Sequence, residues 1–437
     1  MIEKALSGLA ARTVTLMVSL HALWLLGILW FGAATSESRP WVLLGITAVS
    51  APILLYLPDR FWQQLHQLAY RGRFALLLIL LLLAFFYATQ QRIWPFDEEG
   101  NFRAALALLQ DGLPGLINEY ERHDWLGRQH PPLGPLLFGL GAFVLGPYVL
   151  ATRLVTLLFF MGTAVLLYDL GRRLYDEHTA VLAVLYFLSF PLVWRLGTVA
   201  MVEMPLTFFF SLCLWAFVRI WQDEGEGVPG WGLWAFVAGF LTKYTMLLVV
   251  PVLIGLAIAW NKTGWWWRYR WVWGGTAVFL LGGWILLSAL GGFLQIQVQT
   301  LLDYATMVTT DPFGRQLLLE TATNRLPSAI GLYHAPLLLA GGWLLWQRRS
   351  ASDQFVLIWI GVVWLSLFLT LPDHRYFLAT FPALALLLAE GSQHLSHKSN
   401  SEPVPFQTRL VTTALLLNVM ALWLFVDWFR PSHFFVN

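Results

Sequence analysis

Apolar runs of about 18 residues or more recur along almost the whole of this chain. No other feature of the sequence constrains the fold so tightly. A segment buried in hydrocarbon finds no water for its peptide groups and must satisfy them as a helix or in a closed barrel. Barrel strands alternate apolar and polar residues, whereas these runs are continuous and read as helices. Hydrophobic residues make up 58% of the chain and charged residues 12%, a balance unsuited to a soluble core. The expected fold is therefore an all-α polytopic membrane protein.

The runs predict about 13 transmembrane helices, near 10–32, 40–57, 73–90, 148–168, 180–200, 205–221, 231–243, 246–260, 271–290, 330–347, 354–371, 376–392 and 409–428. No small-residue cleavage site follows the first run, which is expected as a retained span. Trp94, Trp231, Trp265, Trp266, Trp267 and Trp428 fall where spans should meet headgroups, as an aromatic belt would. The single Cys213 permits no intrachain disulfide, and a net charge of +2 without basic blocks gives no reason to expect a nucleic-acid partner.

Lys and Arg are retained in the cytoplasm, so short basic loops orient the spans. With the N-terminus cytoplasmic, Lys4 and Arg12, Arg60, Arg71 and Arg73, Arg172 and Arg173, Arg219, Lys262, Arg268 and Arg270, Arg348 and Arg349, and Lys398 and Arg409 all fall inside. The run Pro131–Pro147 would invert this order if it crossed. Its glycines and prolines also oppose an ordinary helix, so it is expected as an interfacial or re-entrant segment on the outer face. The stretch 231–260 must go out and return as two short helices, with Lys243 at the turn. The longest non-spanning segments, 91–147 and 291–329, lie outside. The second contains a possible amphipathic helix around Arg315–Leu326.

The outer ends also carry the ionisable residues. Asp97-Glu98-Glu99 follows the third span, a run that in isolation reads as solvated surface. Its setting between apolar segments instead suits general-base work or binding of a divalent cation near Asp97. Downstream stand His130 before Pro131-Pro132, Glu203 before Met204-Pro205, Lys243 after Leu241-Thr242, and Arg375-Tyr376 after Asp373-His374. An ionisable residue within the membrane usually faces a cavity and has a partner; at a helix end it can instead snorkel to the headgroups. Lys243, apolar on both sides, fits the first description best. Arg195 either snorkels or pairs with Glu203, two turns along the chain.

Taken in order, the Asp97-Glu98 pair, the His130-Pro131-Pro132-Leu133 segment, Glu203-Met204-Pro205, Leu241-Thr242-Lys243 and Arg375-Tyr376 resemble the GT-C membrane glycosyltransferases of the protein O-mannosyltransferase and lipid A aminoarabinose transferase superfamily. The resemblance runs from about residue 73 to 392, leaving two extra spans in 1–72 and a last span and tail in 393–437. It implies a GT-C-type bundle with outer-face interfacial helices, a polyprenyl-phosphate sugar donor and transfer on the extracytoplasmic face of a bacterial-type plasma membrane. It implies Asp97 as the catalytic carboxylate, with Glu98 beside it in the catalytic pair. Lys243, Arg375 with Tyr376, Glu203 and His130 would form the substrate site. His130 stands where many relatives carry Lys, so a fixed positive charge is not given there. The acceptor, whether lipid, protein or glycan, is not specified. A transporter or flippase of lipid-linked sugars, or a glycan polymerase or ligase, would share the spans and phosphate-binding cations. Charges gathered at outer ends rather than the midplane favour transfer.

Overall fold

The apolar runs become helices, and no strand occurs among the described residues of the computed structural model. These residues are 97–122, 131–222, 230–261, 294–331 and 334–397, with scattered positions in 84–89 and 274–292. The spans expected at 10–32, 40–57 and 409–428, and His130, lie outside them.

Helix α1 (Asp97–Arg122) bends at Gly112, whose φ of 66° is a left-handed conformation that glycine adopts without strain. Pro114 follows two residues later. Helix α2 (Leu133–Leu145) is apolar but has only 13 residues. At 1.5 Å per residue it is too short for a hydrocarbon core of about 30 Å. It packs against α1 and α3 (Val149–Leu174).

Among the described residues, three helices are long and apolar enough to cross a membrane: α3, α6 (Glu203–Gln222) and α13 (Ala351–Leu369). The span expected at 180–200 is instead broken, α4 (Glu177–Leu188) and α5 (Pro191–Gly197) meeting at 73°. Pro191 explains the break. It lacks an N–H, and it forces Phe190 into an extended conformation at φ −81° and ψ 124°. Helix α5 is entirely buried and leads into a buried irregular stretch, Thr198–Val202, before α6 starts. The two short helices expected in 231–260 are present as α7 (Gly230–Thr242) and α8 (Val249–Ala259), joined by a 3-10 turn (Tyr244–Leu248). Lys243 sits in extended conformation between α7 and the turn.

The segment expected to hold an amphipathic helix is helical over a longer range. It comprises α9 (Leu294–Thr310), α10 (Pro312–Glu320), a π turn (Thr321–Arg325) and α11 (Leu326–Ile330). Pro327 accounts for the π turn, since it gives Thr323 no N–H to accept and crowds that carbonyl. The last helices are α12 (Ala335–Arg348), α13, and α14 (Phe381–His397), which is preceded by a 3-10 turn at Tyr376–Thr380.

Lipid is as apolar as leucine, so helices within a membrane associate through close packing and polar contacts. The described bundle uses both. Trp359 of α13 stacks on Phe210 of α6, ring centroids 6.0 Å apart. At one end of the bundle Arg348 holds Asp353 and Glu390, which also accept from Tyr175 and Thr179 and so tie α3, α4, α12, α13 and α14 together. Helices α12 and α14 cross at Gly341 and Gly391, where a Cβ on Gly391 would lie 2.8 Å from the Gly341 Cα. Gly391→Val should therefore cost about 1–3 kcal/mol, read as a lower unfolding midpoint in detergent; an unchanged midpoint would contradict this packing.

The helix directions separate two ends. Arg172, Arg173, Arg219, Arg348 and Arg349 gather at one. The starts of α1, α3 and α6 meet the Lys243 turn and the loop before Tyr376 at the other.

Candidate active site

The three carboxylates that open α1 do not converge on one point, as ligands of one ion would. Each faces its own arginine: Asp97 meets Arg375, Glu98 meets Arg153, and Glu99 meets Arg103 one turn along the same helix. Among the described residues no group of three or more His, Cys, Asp or Glu is arranged to hold a metal.

Glu98 is wholly buried. Its carboxylate accepts from Arg153 Nε at 2.7 Å, Arg153 Nη2 at 2.8 Å and the Ala200 N–H at 2.8 Å. Arg153 also donates through Nη1 to the Ala88 carbonyl, 2.6 Å away. Asn101, one turn after Asp97, donates to the Ala200 carbonyl at 3.2 Å. In the irregular stretch after α5, both peptide groups of Ala200 are thus satisfied by the first turn of α1. Buried backbone polar groups require such partners. Glu98, which the resemblance puts in the catalytic pair, thus joins α1, α3 and the approach to α6.

Asp97 is different: its side chain is 24% exposed, and one oxygen accepts from Arg375 Nη1. The opposite edge of the Arg375 guanidinium is held by Asp373, which accepts from Nε at 3.2 and 3.3 Å, from Nη2 at 2.9 Å and from the Arg375 backbone N–H at 3.0 Å. The Tyr376 ring lies between two cations, Lys243 Nζ 4.0 Å from its centroid and the Arg375 guanidinium carbon 5.9 Å. Lys243 Nζ donates to Glu203 Oε1 at 2.8 Å, with both side chains buried. Glu203 therefore pairs with Lys243, and at 2% and 3% exposure neither residue snorkels. Arg195 is itself buried, and its charge bears on His374.

Among the described residues, four carboxylates (Asp97, Glu98, Glu203 and Asp373) thus stand beside four cations (Arg153, Arg195, Lys243 and Arg375) at this end. Such balance is required where water is scarce, because an unpaired buried charge is strongly destabilising. Burial by itself would push the Asp373 carboxyl up; the Arg375 guanidinium, with His374 beside it, holds it well below the usual carboxylate range. A depressed carboxylate stabilises the fold fully above its ordinary pKa of about 3.9 and loses that contribution as the pH falls through its folded value. The gap in unfolding midpoint between wild type and Asp373→Asn should hold steady from about pH 8 to about pH 5, and close only below about pH 4. A gap closing already between about pH 7 and about pH 5 would contradict the depressed value.

The structure thus brings together Asp97, Glu203, Lys243, Arg375 and Tyr376, and adds Arg153 and Asp373, which sequence reasoning passed over. Arg153 had a readable signal, a lone charge in the first turns of an apolar span. Asp373 lies two residues before Arg375, but nothing in the sequence shows that it turns back to hold that guanidinium.

A broken-helix bundle with a charge-balanced acid–base cluster at one end defines a class of lipid-facing membrane proteins, and the comparisons narrow it. The family model for dolichyl-phosphate-mannose-protein mannosyltransferase matches residues 129–285. An uncharacterised protein of Aquifex aeolicus is 26% identical over 360 residues, 79% of this chain and 70% of its own. An undecaprenyl phosphate-alpha-4-amino-4-deoxy-L-arabinose arabinosyl transferase of Pseudomonas aeruginosa is 28% identical over 311 residues, 64% of this chain. The chain spans about half the length of that relative, 53%. Among solved structures, ArnT from Cupriavidus metallidurans bound to undecaprenyl phosphate superposes with a TM-score of 0.61 at 16% identity, covering 83% of this chain and 73% of ArnT. The apo form gives 0.57, covering 76% and 61%. The chain shares the ArnT fold and resembles the GT-C glycosyltransferases of the protein O-mannosyltransferase and aminoarabinose transferase superfamily.

Proposed function

We propose that this protein transfers a sugar from a polyprenyl-phosphate donor to an acceptor hydroxyl, with Asp97 as general base. The observation that carries the reading is the position of Asp97. It is the most exposed carboxylate of the cluster, and it meets Arg375, which with Lys243 flanks the Tyr376 ring. The acceptor oxygen attacks the anomeric carbon, and the bond from that carbon to the phosphate oxygen breaks on the opposite face, inverting the configuration. Its electron pair leaves with the polyprenyl phosphate, and the hydroxyl proton passes to Asp97. Arg375 and Lys243 hold the departing phosphate, where fixed positive charge acts most strongly away from water.

The direction of the bundle supports an extracytoplasmic site. The exposed arginines Arg172 and Arg349 stand at the opposite end from Asp97, as the positive-inside rule requires of cytoplasmic loops. The site then opens to the outer face of a bacterial-type plasma membrane, with the N-terminus cytoplasmic.

The test is to incubate purified protein with a labelled polyprenyl-phosphate sugar and candidate lipid, peptide or glycan acceptors. Release of free polyprenyl phosphate together with label on an acceptor is the expected result. Redistribution of intact donor between vesicle leaflets without cleavage would favour a flippase.

A further inference from the structure

We infer that Asp373 is a positioning residue, which holds the Nε/Nη2 edge of the Arg375 guanidinium so that Nη1 faces Asp97 or the donor phosphate. The inference rests on the donor reading above and deepens it. A guanidinium presents its donors in a rigid planar fork, and a carboxylate in reach of two of them takes both. Here the Nε/Nη2 edge is taken by Asp373, and the Arg375 backbone N–H donates to the same carboxylate, fixing the start of the side chain as well as its head. Asp97 meets Nη1 only.

Without Asp373, the Nε/Nη2 edge loses the carboxylate that fixes it, and Arg375 can turn that fork onto Asp97. The two would then form a bidentate pair. The proposed base and the proposed phosphate clamp would neutralise each other, and a phosphate would have to break two charge-assisted bonds to enter instead of one. Asp373 therefore keeps the Asp97–Arg375 contact weak enough to exchange. An acid placed only for charge balance would have no need to chelate one edge of the fork. It would also repel an incoming phosphate, so that its loss would tighten binding.

The experiment measures binding of a purified polyprenyl monophosphate by isothermal titration in detergent, with polyprenol as the control for the lipid tail. Asp373→Asn should weaken binding by roughly 10- to 100-fold, the range of one charge-assisted hydrogen bond. The same substitution in an Arg375→Lys background should change affinity by less than about threefold, since an ammonium is a point charge with no edge to orient. Should Asp373→Asn fail to fold, Asp373→Glu carries the same comparison; its longer arm displaces the fork while keeping the charge. Unchanged or tighter binding, or equal weakening in both backgrounds, would overturn the inference. A wild-type protein that does not bind the monophosphate would instead overturn the donor reading.

Discussion

Asp97→Asn is expected to reduce sugar transfer by about 10²–10⁴-fold, the usual contribution of a positioned general base, and to leave the unfolding midpoint close to wild type. The asymmetry follows from where the charge sits. Asp97 is partly exposed and shares Arg375 with Asp373, so an amide at position 97 still leaves the guanidinium with a carboxylate partner. The amide oxygen can also keep the bond from Nη1. What is lost is a group able to take the acceptor proton as the glycosyl bond breaks. Binding of a polyprenyl phosphate should survive or strengthen, since an amide competes less for Arg375 than a carboxylate does. The check is a turnover assay beside a detergent melt and a binding titration on the same preparation. Near-normal turnover would remove Asp97 from the chemistry. A collapsed melt would make it a folding residue.

Arg153→Met is expected to have the largest effect on stability, about 3–5 kcal/mol, because it leaves Glu98 as an unpaired charge in the interior. The Arg153–Glu98 pair is more completely buried than Asp97–Arg375, with side-chain exposures of 5% and 0%. Arg153 also satisfies the Ala88 carbonyl, and Glu98 satisfies the Ala200 N–H, so failure at this joint would loosen α1 from α3 and from the approach to α6. The double variant Glu98→Gln with Arg153→Met should recover part of the loss. It removes both charges, and the glutamine oxygen remains as acceptor for Ala200. If the double variant is no more stable than Arg153→Met alone, the cost lies in packing rather than in the orphaned charge.

Much of this was legible in the sequence, because the bilayer reduces what a chain can do. Continuous apolar runs had to become helices, and the glycines and prolines of 131–147 accompany a helix of only 13 residues. Lys243 in an apolar turn signalled a buried cation with a partner. Which partner was not legible. Glu203 lies 40 residues from Lys243, and Arg375 lies 278 from Asp97; pairings at such range depend on how the helices pack. The Asp97-Glu98-Glu99 run shows the limit most clearly. Neighbours in sequence at a helix start point in different directions, so a run that suggested shared ligation splits among three arginines. The break at Pro191 is hidden by apolar composition that continues through it, while the proline, one residue in an otherwise span-like run, redirects the chain by 73°.

The central claim is that the sugar–phosphate bond is broken between Asp97 and Arg375. The most direct measurement is an experimental structure of this protein with a polyprenyl phosphate bound. The account predicts phosphate oxygens within about 2.7–3.2 Å of Arg375 Nη1 and in reach of Lys243, with the Asp97 carboxylate turned toward the space where an acceptor would approach. A phosphate seated at the arginine-rich opposite end, beside Arg172 or Arg348, or one that leaves the Asp97–Arg375 pair untouched, would contradict it.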